Sequence, residues 1–223
     1  MFLILVIFAT GSQVAQGQGN NNNQGVMPPN AKFRGLNYGE WGASWWQAAF
    51  QIPVVEGDHP LFSGGAFQGP KGVVFLAAVV GEPAVVEVTI PAGTPLFIPI
   101  VNSECSTIED PPFFGSNETE LRQCVNDFID QTSGLFAEID FVPVGNIEAQ
   151  RVESPLFEFG PLPENNVFGE PAGTTSPSVD AGFYLLLAPL SAGEHVVSVG
   201  GTFDLFGASI DTTFLITVEP RLP

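Results

Sequence analysis

The chain has 223 residues, of which 24 are Asp or Glu and six are Lys or Arg, so its formal net charge is −18 at pH 7. This charge argues against nucleic acid and anionic membranes as partners, because both are bound through a positive surface. It permits divalent cations, basic partners and neutral polymers. With 44% hydrophobic residues over this length, the chain can form one medium-sized domain with its own core.

The amino terminus has the pattern of a secretory signal peptide. Residues 2–8 are uninterrupted apolar residues, and small and polar residues follow them. The run is too short to cross a bilayer, which takes about 20 apolar residues. We therefore expect a signal peptide over residues 1–15, a flexible Asn-, Gln- and Gly-rich linker over 16–34 and a single domain over 35–223. The protein is expected to be secreted, extracellular or periplasmic, with no membrane contact after signal cleavage.

All three tryptophans lie within residues 41–46. On a helix, at about 100° per residue, Trp41 and Trp45 share one apolar face, and Trp46 and Phe50 lie roughly 160° away. A narrow polar stripe separates the two faces at Glu40, Ser44, Gln47 and Gln51. A helix with two apolar faces predicts burial between two surfaces, whereas a sugar-binding platform needs coplanar, exposed rings. Trp46 is the candidate of the three for contact with a ligand.

Short runs rich in Val, Ile, Phe and Thr, bounded by Gly, Pro, Asn or Asp, follow this segment. Their spacing predicts a mainly β fold, an antiparallel β-sandwich or jelly roll. Several runs are apolar on both faces, so we expect their strands to be central or covered on both sides. One helix interrupts the strands, with Asn117 as its N-cap, an apolar stripe from Leu121 to Thr132, and Gly134 as its stop.

The only two cysteines, Cys105 and Cys124, predict a disulfide, since an exported protein folds in an oxidising compartment. The bond would stabilise the fold by about 3 kcal/mol and would pin the inserted helix to the end of a strand. The alternative, a nucleophilic or metal-binding thiol, lacks a second C-x-x-C cysteine or a nearby histidine.

Motifs for catalysis are missing from the sequence, which has no G-x-S-x-G, H-E-x-x-H or EF-hand loop. The two histidines, His59 and His195, are the candidate catalytic residues, and a joint metal site would need both to converge with carboxylates. Glu104, Glu109 and Asp110 are candidate calcium ligands, because calcium takes about six to eight oxygens from irregular loops. The alternative is a solvated acidic loop. No other cofactor is expected.

Five segments, in this order, resemble a set of exported bacterial proteins of unassigned function. They read YGEWGASWWQAAFQIP, GPKGVVFLA, PAGTPLFIPIVNSEC, RVESPLFEF and DAGFYLLLAPLSAGEHVVSVGG. The W-x-x-x-W-W-Q and P-A-G-x-x-L-F-x-P elements are the most specific, and the resemblance covers residues 37 to 201. The chain departs from that set at Ala48, where a fourth tryptophan would stand, and in having one cysteine pair. The resemblance implies a secreted β-sandwich and supplies no catalytic residue.

Two classes of function follow from these observations. The first is a noncatalytic extracellular domain, binding or structural, for a glycan, a polymer or another protein. The second is a secreted hydrolase or lyase that acts on polysaccharide through carboxylates together with His59 or His195. The missing catalytic motifs favour the first.

Overall fold

The computed structural model describes residues 25–220, so the expected signal peptide and the first part of the expected linker lie outside the described residues. Its three helices are α1 (Tyr38–Ala49), α2 (Pro60–Ser63) and α3 (Glu118–Ile129). None of the helices in this part of the chain is long and apolar enough to cross a membrane. Residues 25–34 contact the rest of the fold, where Val26 bridges Leu187 and the Met27 N–H donates to the Leu186 carbonyl at 2.9 Å.

Two sheets form a sandwich, as the sequence predicts. Sheet I has the strand order β1-β2-β4-β9-β7, with β8 also paired to β9. Its strands are β1 (Gly65–Gln68), β2 (Val74–Ala77), β4 (Leu96–Ser106), β7 (Arg151–Glu153), β8 (Phe157–Phe159) and β9 (Ser176–Leu187). Sheet II has the order β3-β11-β10-β5-β6. Its strands are β3 (Ala84–Pro91), β5 (Thr132–Ile139), β6 (Val142–Pro143), β10 (Gly193–Phe203) and β11 (Ala208–Glu219).

The sheets are mixed. Two pairs, β2–β4 and β3–β11, run parallel, and the other pairs are antiparallel. Short 3₁₀ turns at Pro70–Gly72 and Ile147–Gln150 lead into β2 and β7. A parallel pair needs a crossover connection, whereas an antiparallel pair can be joined by a hairpin. The sequence predicted the β-strands but not that these two pairs run parallel.

Sheet I is covered on both faces. Its inner face packs against sheet II through one apolar cluster that includes Val179, Leu185, Val197 and Phe214. Its outer face packs against α1, where Trp41 and Trp45 are 0% and 2% exposed. This double covering confirms the prediction drawn from the runs that are apolar on both faces, and it makes β4 and β9 the central strands of the molecule.

Helix α1 begins with a capping box, in which the Asn37 side chain accepts from the Glu40 N–H and the Glu40 carboxylate accepts from the Asn37 N–H. The two aromatic faces of the helix lie as the helical spacing indicates. Trp41 and Trp45 pack on Phe75, Phe97 and Tyr184 of sheet I. Trp46 is only partly buried and stacks obliquely on Phe50, with the ring centres 5.2 Å apart.

Helix α3 is shorter than the apolar stripe predicts. It is capped by Asn117 as expected but ends at Ile129, and Thr132 opens β5 by pairing with Phe203. Gly134, expected as the helix stop, lies within β5 at φ +61°. Pairing with sheet II therefore overrides the helical pattern of the last turn. Cys124 on the helix is bonded to Cys105 near the end of β4, with their Cα atoms 6.3 Å apart, so the pair ties α3 to this strand.

Candidate functional site

A row of polar residues, buried except for the partly buried Asn102, crosses the outer face of sheet I beside the area that α1 covers. A β-bulge between Pro99 and Val101 reverses the side-chain alternation of β4. Polar side chains therefore occupy the outer positions of β4 after the bulge and the facing positions of β9; these are Asn102, Glu104, Ser106, Ser178 and Asp180. Glu104 and Asp180 are direct cross-strand partners, which brings two carboxyl groups together within this polar row.

Asp180 is fully buried and holds Trp46 in place. Its Oδ1 accepts hydrogen bonds from the Trp46 indole N–H at 2.8 Å and from the Tyr184 hydroxyl. Its Oδ2 has no hydrogen-bond partner among residues 25–220 and lies against the backbone of Gly42, where a Cβ would come within 3.0 Å of it. Burial raises the pKa of this carboxyl to about 7, against the hydrogen bonds from Tyr184 and Trp46 that lower it.

Glu104 and Glu109 form a carboxyl pair next to Asp180. Burial raises the pKa of Glu104 well above its usual value, and the charge of Glu109 raises it further. Burial also raises the pKa of Glu109, while its hydrogen bonds with Glu104 and Ser106 lower it. The raised pKa favours the protonated Glu104 carboxyl, which can donate to Glu109, and Glu104 accepts from the Ser178 hydroxyl. The Ser106 hydroxyl donates to Glu109 at 2.8 Å.

The carboxyl pair lies at one end of a cavity of about 460 Å³. The cavity is open to solvent on one side, and its lining comes from α1, α2, β4, the segments around residues 80, 109–113 and 167–168, and the turn between β10 and β11. Ten of its lining residues are apolar, namely Trp46, Phe50, Leu61, Val80, Phe113, Val167, Phe168, Phe203, Phe206 and Ala208. The four polar ones are Asn102, Ser103, Glu104 and Glu109. The cavity therefore has an aromatic wall and a single polar end.

The structure brings some of the predicted site residues together and separates others. Trp46, Glu104 and Glu109 all line the cavity, whereas Asp110 is exposed and does not. Glu104 lies in β4, although the sequence suggested a loop around it. Within residues 25–220, no group of three or more His, Cys, Asp or Glu is placed to hold a metal ion. Calcium binding by the three acidic residues remains a prediction.

The two histidines lie on different elements and in different surroundings. His59 caps α2 and is 2% exposed; its Nδ1 accepts from the Leu61 N–H and its Nε2 lies 3.2 Å from the Ala49 carbonyl. Burial lowers its pKa, which favours the neutral ring. His195 lies on β10 in sheet II, where Asp140 and Ser191 contact its ring. Neither histidine lines the 460 Å³ cavity.

The sequence reasoning missed Asp180 and Asn102. The available signal was polar residues at every second position, in Asn102, Glu104 and Ser106 and again in residues 176–180. Such alternation predicts one polar face on a strand. The sequence does not say that the two polar faces are adjacent and buried, because that depends on the pairing of β4 with β9 across more than 70 residues.

No family model, no curated protein and no solved structure matches this chain.

Proposed function

We propose that this protein is secreted and that the cavity beside Trp46 is a noncatalytic binding site, which holds an apolar group of a neutral ligand. The observation that supports it is the cavity itself, whose volume of about 460 Å³ is in the range of small-molecule sites. Such sites are mostly apolar, with a few polar groups that fix the orientation of the ligand. The aromatic wall and the single polar end have this character.

The polar end indicates which ligand group would bind there. Glu109 accepts from Glu104 and Ser106, and a carboxylate has about four acceptor positions, so it can accept a further hydrogen bond. A hydroxyl on the ligand would donate to it. The net charge of −18 disfavours anionic ligands. Among the expected partners, a protein or polymer that presents an apolar ring with a hydroxyl, such as a phenol, fits this cavity better than a glycan, whose many hydroxyls would face an apolar wall.

Binding can be tested with the neutral dye Nile red and with competition by 4-alkylphenols. The Trp46→Ala variant should bind the dye about 10- to 100-fold more weakly, because a buried aromatic contact contributes about 1.5–3 kcal/mol. Phe141→Ala is the matched control, since Phe141 is 78% exposed, lies in the turn between β5 and β6, and does not line the cavity. Equal binding by the wild type and Trp46→Ala, or a loss only in Phe141→Ala, would contradict the proposal.

The carboxyl pair supports a second candidate, a secreted hydrolase. Glu104 and Glu109 are in hydrogen-bond contact with each other. They therefore lie closer together than the two carboxyl groups of a glycosidase, which are about 5–9.5 Å apart. Two carboxyls that share a proton are instead suited to activate a water for attack on a carbonyl carbon. The test is product release from a panel of peptides, esters and polysaccharides. Turnover abolished by Glu104→Gln would favour this candidate, and dye binding without turnover would favour the binding protein.

A further inference from the structure

A serine, a histidine and an aspartate form a chain of hydrogen bonds on sheet II, apart from the cavity. The Ser191 Oγ lies 3.1 Å from His195 Nε2, and His195 Nδ1 lies 2.8 Å from Asp140 Oδ2. Ser191 is on the exposed connection before β10, His195 is on β10, and Asp140 follows β5. Nucleophile, base and orienting carboxylate are thus in the order that activates a serine in hydrolases, whichever fold presents it.

Asp140 is held firmly for the orienting position. Its Oδ1 accepts from the Val196 N–H at 2.9 Å, which leaves Oδ2 for His195. Burial raises its pKa, but the bonds from Val196 and His195 outweigh burial and keep the pKa below its usual value. Asp140 and Phe141 both have positive φ, 50° and 64°. These two residues form the turn that joins β5 to β6, where Ile139 pairs with Val142, and a two-residue hairpin turn of this kind has positive φ at both positions.

We propose that Ser191, His195 and Asp140 form a nucleophilic site that hydrolyses uncharged carboxylic esters. In the neutral ring that carries its proton on Nδ1 and donates it to Asp140, Nε2 can accept the proton of the Ser191 hydroxyl. The Ser191 carbonyl lies 3.0 Å from the same Nε2. Once Nε2 carries the proton, this carbonyl can accept its hydrogen bond and stabilise the imidazolium.

The reaction balances with water as the only co-reactant. The Ser191 Oγ bonds to the ester carbonyl carbon while its proton passes to Nε2. The bond from that carbon to the leaving oxygen then breaks, and the alcohol departs with the proton from Nε2. A water attacks the acyl-serine, gives its proton to Nε2, and the carboxylic acid leaves as Ser191 regains a proton. Uncharged esters are the expected substrates because the acidic surface repels anionic ones.

The test treats the full-length protein with diisopropyl fluorophosphate and maps the labelled peptide by mass spectrometry, with p-nitrophenyl acetate hydrolysis as the second readout. Label is expected at Ser191, and His195→Gln should slow labelling about 100- to 10,000-fold, the contribution of a positioned general base. Ser133→Ala is the matched control, because Ser133 is exposed and bonded to Asp204 at 2.6 Å. It should label and hydrolyse like the wild type.

The competing explanation is that the three side chains only brace the turn after β5 against the connection before β10. A wild-type protein that takes no label on Ser191 would show that the role is only structural and would overturn the proposal. A folded His195→Gln variant that is labelled as fast as the wild type would do the same. Labelling of the unaltered protein requires no variant to fold. The result is also independent of the Trp46 cavity, since dye binding there is measured separately.

Discussion

Replacing Asp180 with Asn should remove a large part of the pH dependence of stability. Asp180 is fully buried, and burial raises its pKa from the usual 3.8 to about 7. The asparagine keeps an oxygen that can accept from Trp46 and Tyr184 but does not titrate in this range. The substitution therefore isolates the ionisation of one carboxyl while the shape of the site is conserved.

The sign and size follow from proton binding in the two states. Between pH 4 and pH 7 the folded protein holds a proton on Asp180 that the unfolded chain has released, so the free energy of unfolding falls as the pH rises. At about 1.36 kcal/mol per pH unit, the displacement from 3.8 to about 7 corresponds to about 4 kcal/mol. This contribution is fully present below pH 4 and is lost by about pH 7. It is a large fraction of the roughly 5–15 kcal/mol that stabilises a typical domain.

Urea unfolding of the wild type and of Asp180→Asn measures this difference directly, at pH values of about 4.5, 5.5, 6.5 and 7.5. The variant should gain stability relative to the wild type as the pH rises, by about 3 kcal/mol between the lowest and the highest of these pH values. Glu104 and Glu109 change stability in the same direction, because burial also raises their pKa values, but they are present in both proteins. Asp211→Asn, an exposed carboxylate, is the control. A difference that stays constant with pH would refute the reasoning.

Three further substitutions test the packing. Gly42→Ala should lower the free energy of unfolding by about 1–3 kcal/mol, although alanine normally favours a helix, because its Cβ would meet the Asp180 carboxylate closer than 3.0 Å; stabilisation in thermal unfolding would contradict this. The double variant Cys105→Ser/Cys124→Ser should lose about 3 kcal/mol in urea unfolding relative to the oxidised protein, and a loss below about 1 kcal/mol would show that the bond adds little. Trp41→Ala should cost about 3–5 kcal/mol, since the side chain is 0% exposed; an unchanged urea midpoint would contradict its burial in the core.

The fold was largely predictable because local patterns and tertiary packing agree in most of the chain. Helical spacing placed Trp41 and Trp45 on a buried face, and the runs that are apolar on both faces indicated strands covered on both sides. The end of α3 was not predictable, because the apolar pattern continues to Thr132 while the pairing of β5 with β10 takes that residue into a strand. The parallel pairs were missed for the same reason, since the residue pattern within a strand does not show which distant strand it pairs with.

The site was predictable only in part. The helical pattern singled out Trp46, and the cluster of acidic residues singled out Glu104 and Glu109, all of which line the cavity. Their setting was not foreseen, because an acidic residue beside a cysteine suggests a solvated loop and here lies in a central strand. Asp180 is the clearest omission. Its importance depends on the register of β4 and β9 and on the packing of α1 above them. Neither can be predicted from the residues next to Asp180 in the sequence.

The parallel pairing of β3 with β11 has a consequence for how the molecule is made. Ala84 pairs with Thr212, so sheet II cannot be completed until almost the whole domain has left the ribosome. Contacts between residues so far apart in sequence form slowly, and the unpaired strands are prone to aggregate in the meantime. A chain that is exported unfolded and folds afterwards has its full length available at once. The topology thus suits the secretion that we propose, and delayed folding during synthesis would keep the chain in a form that a translocation channel accepts.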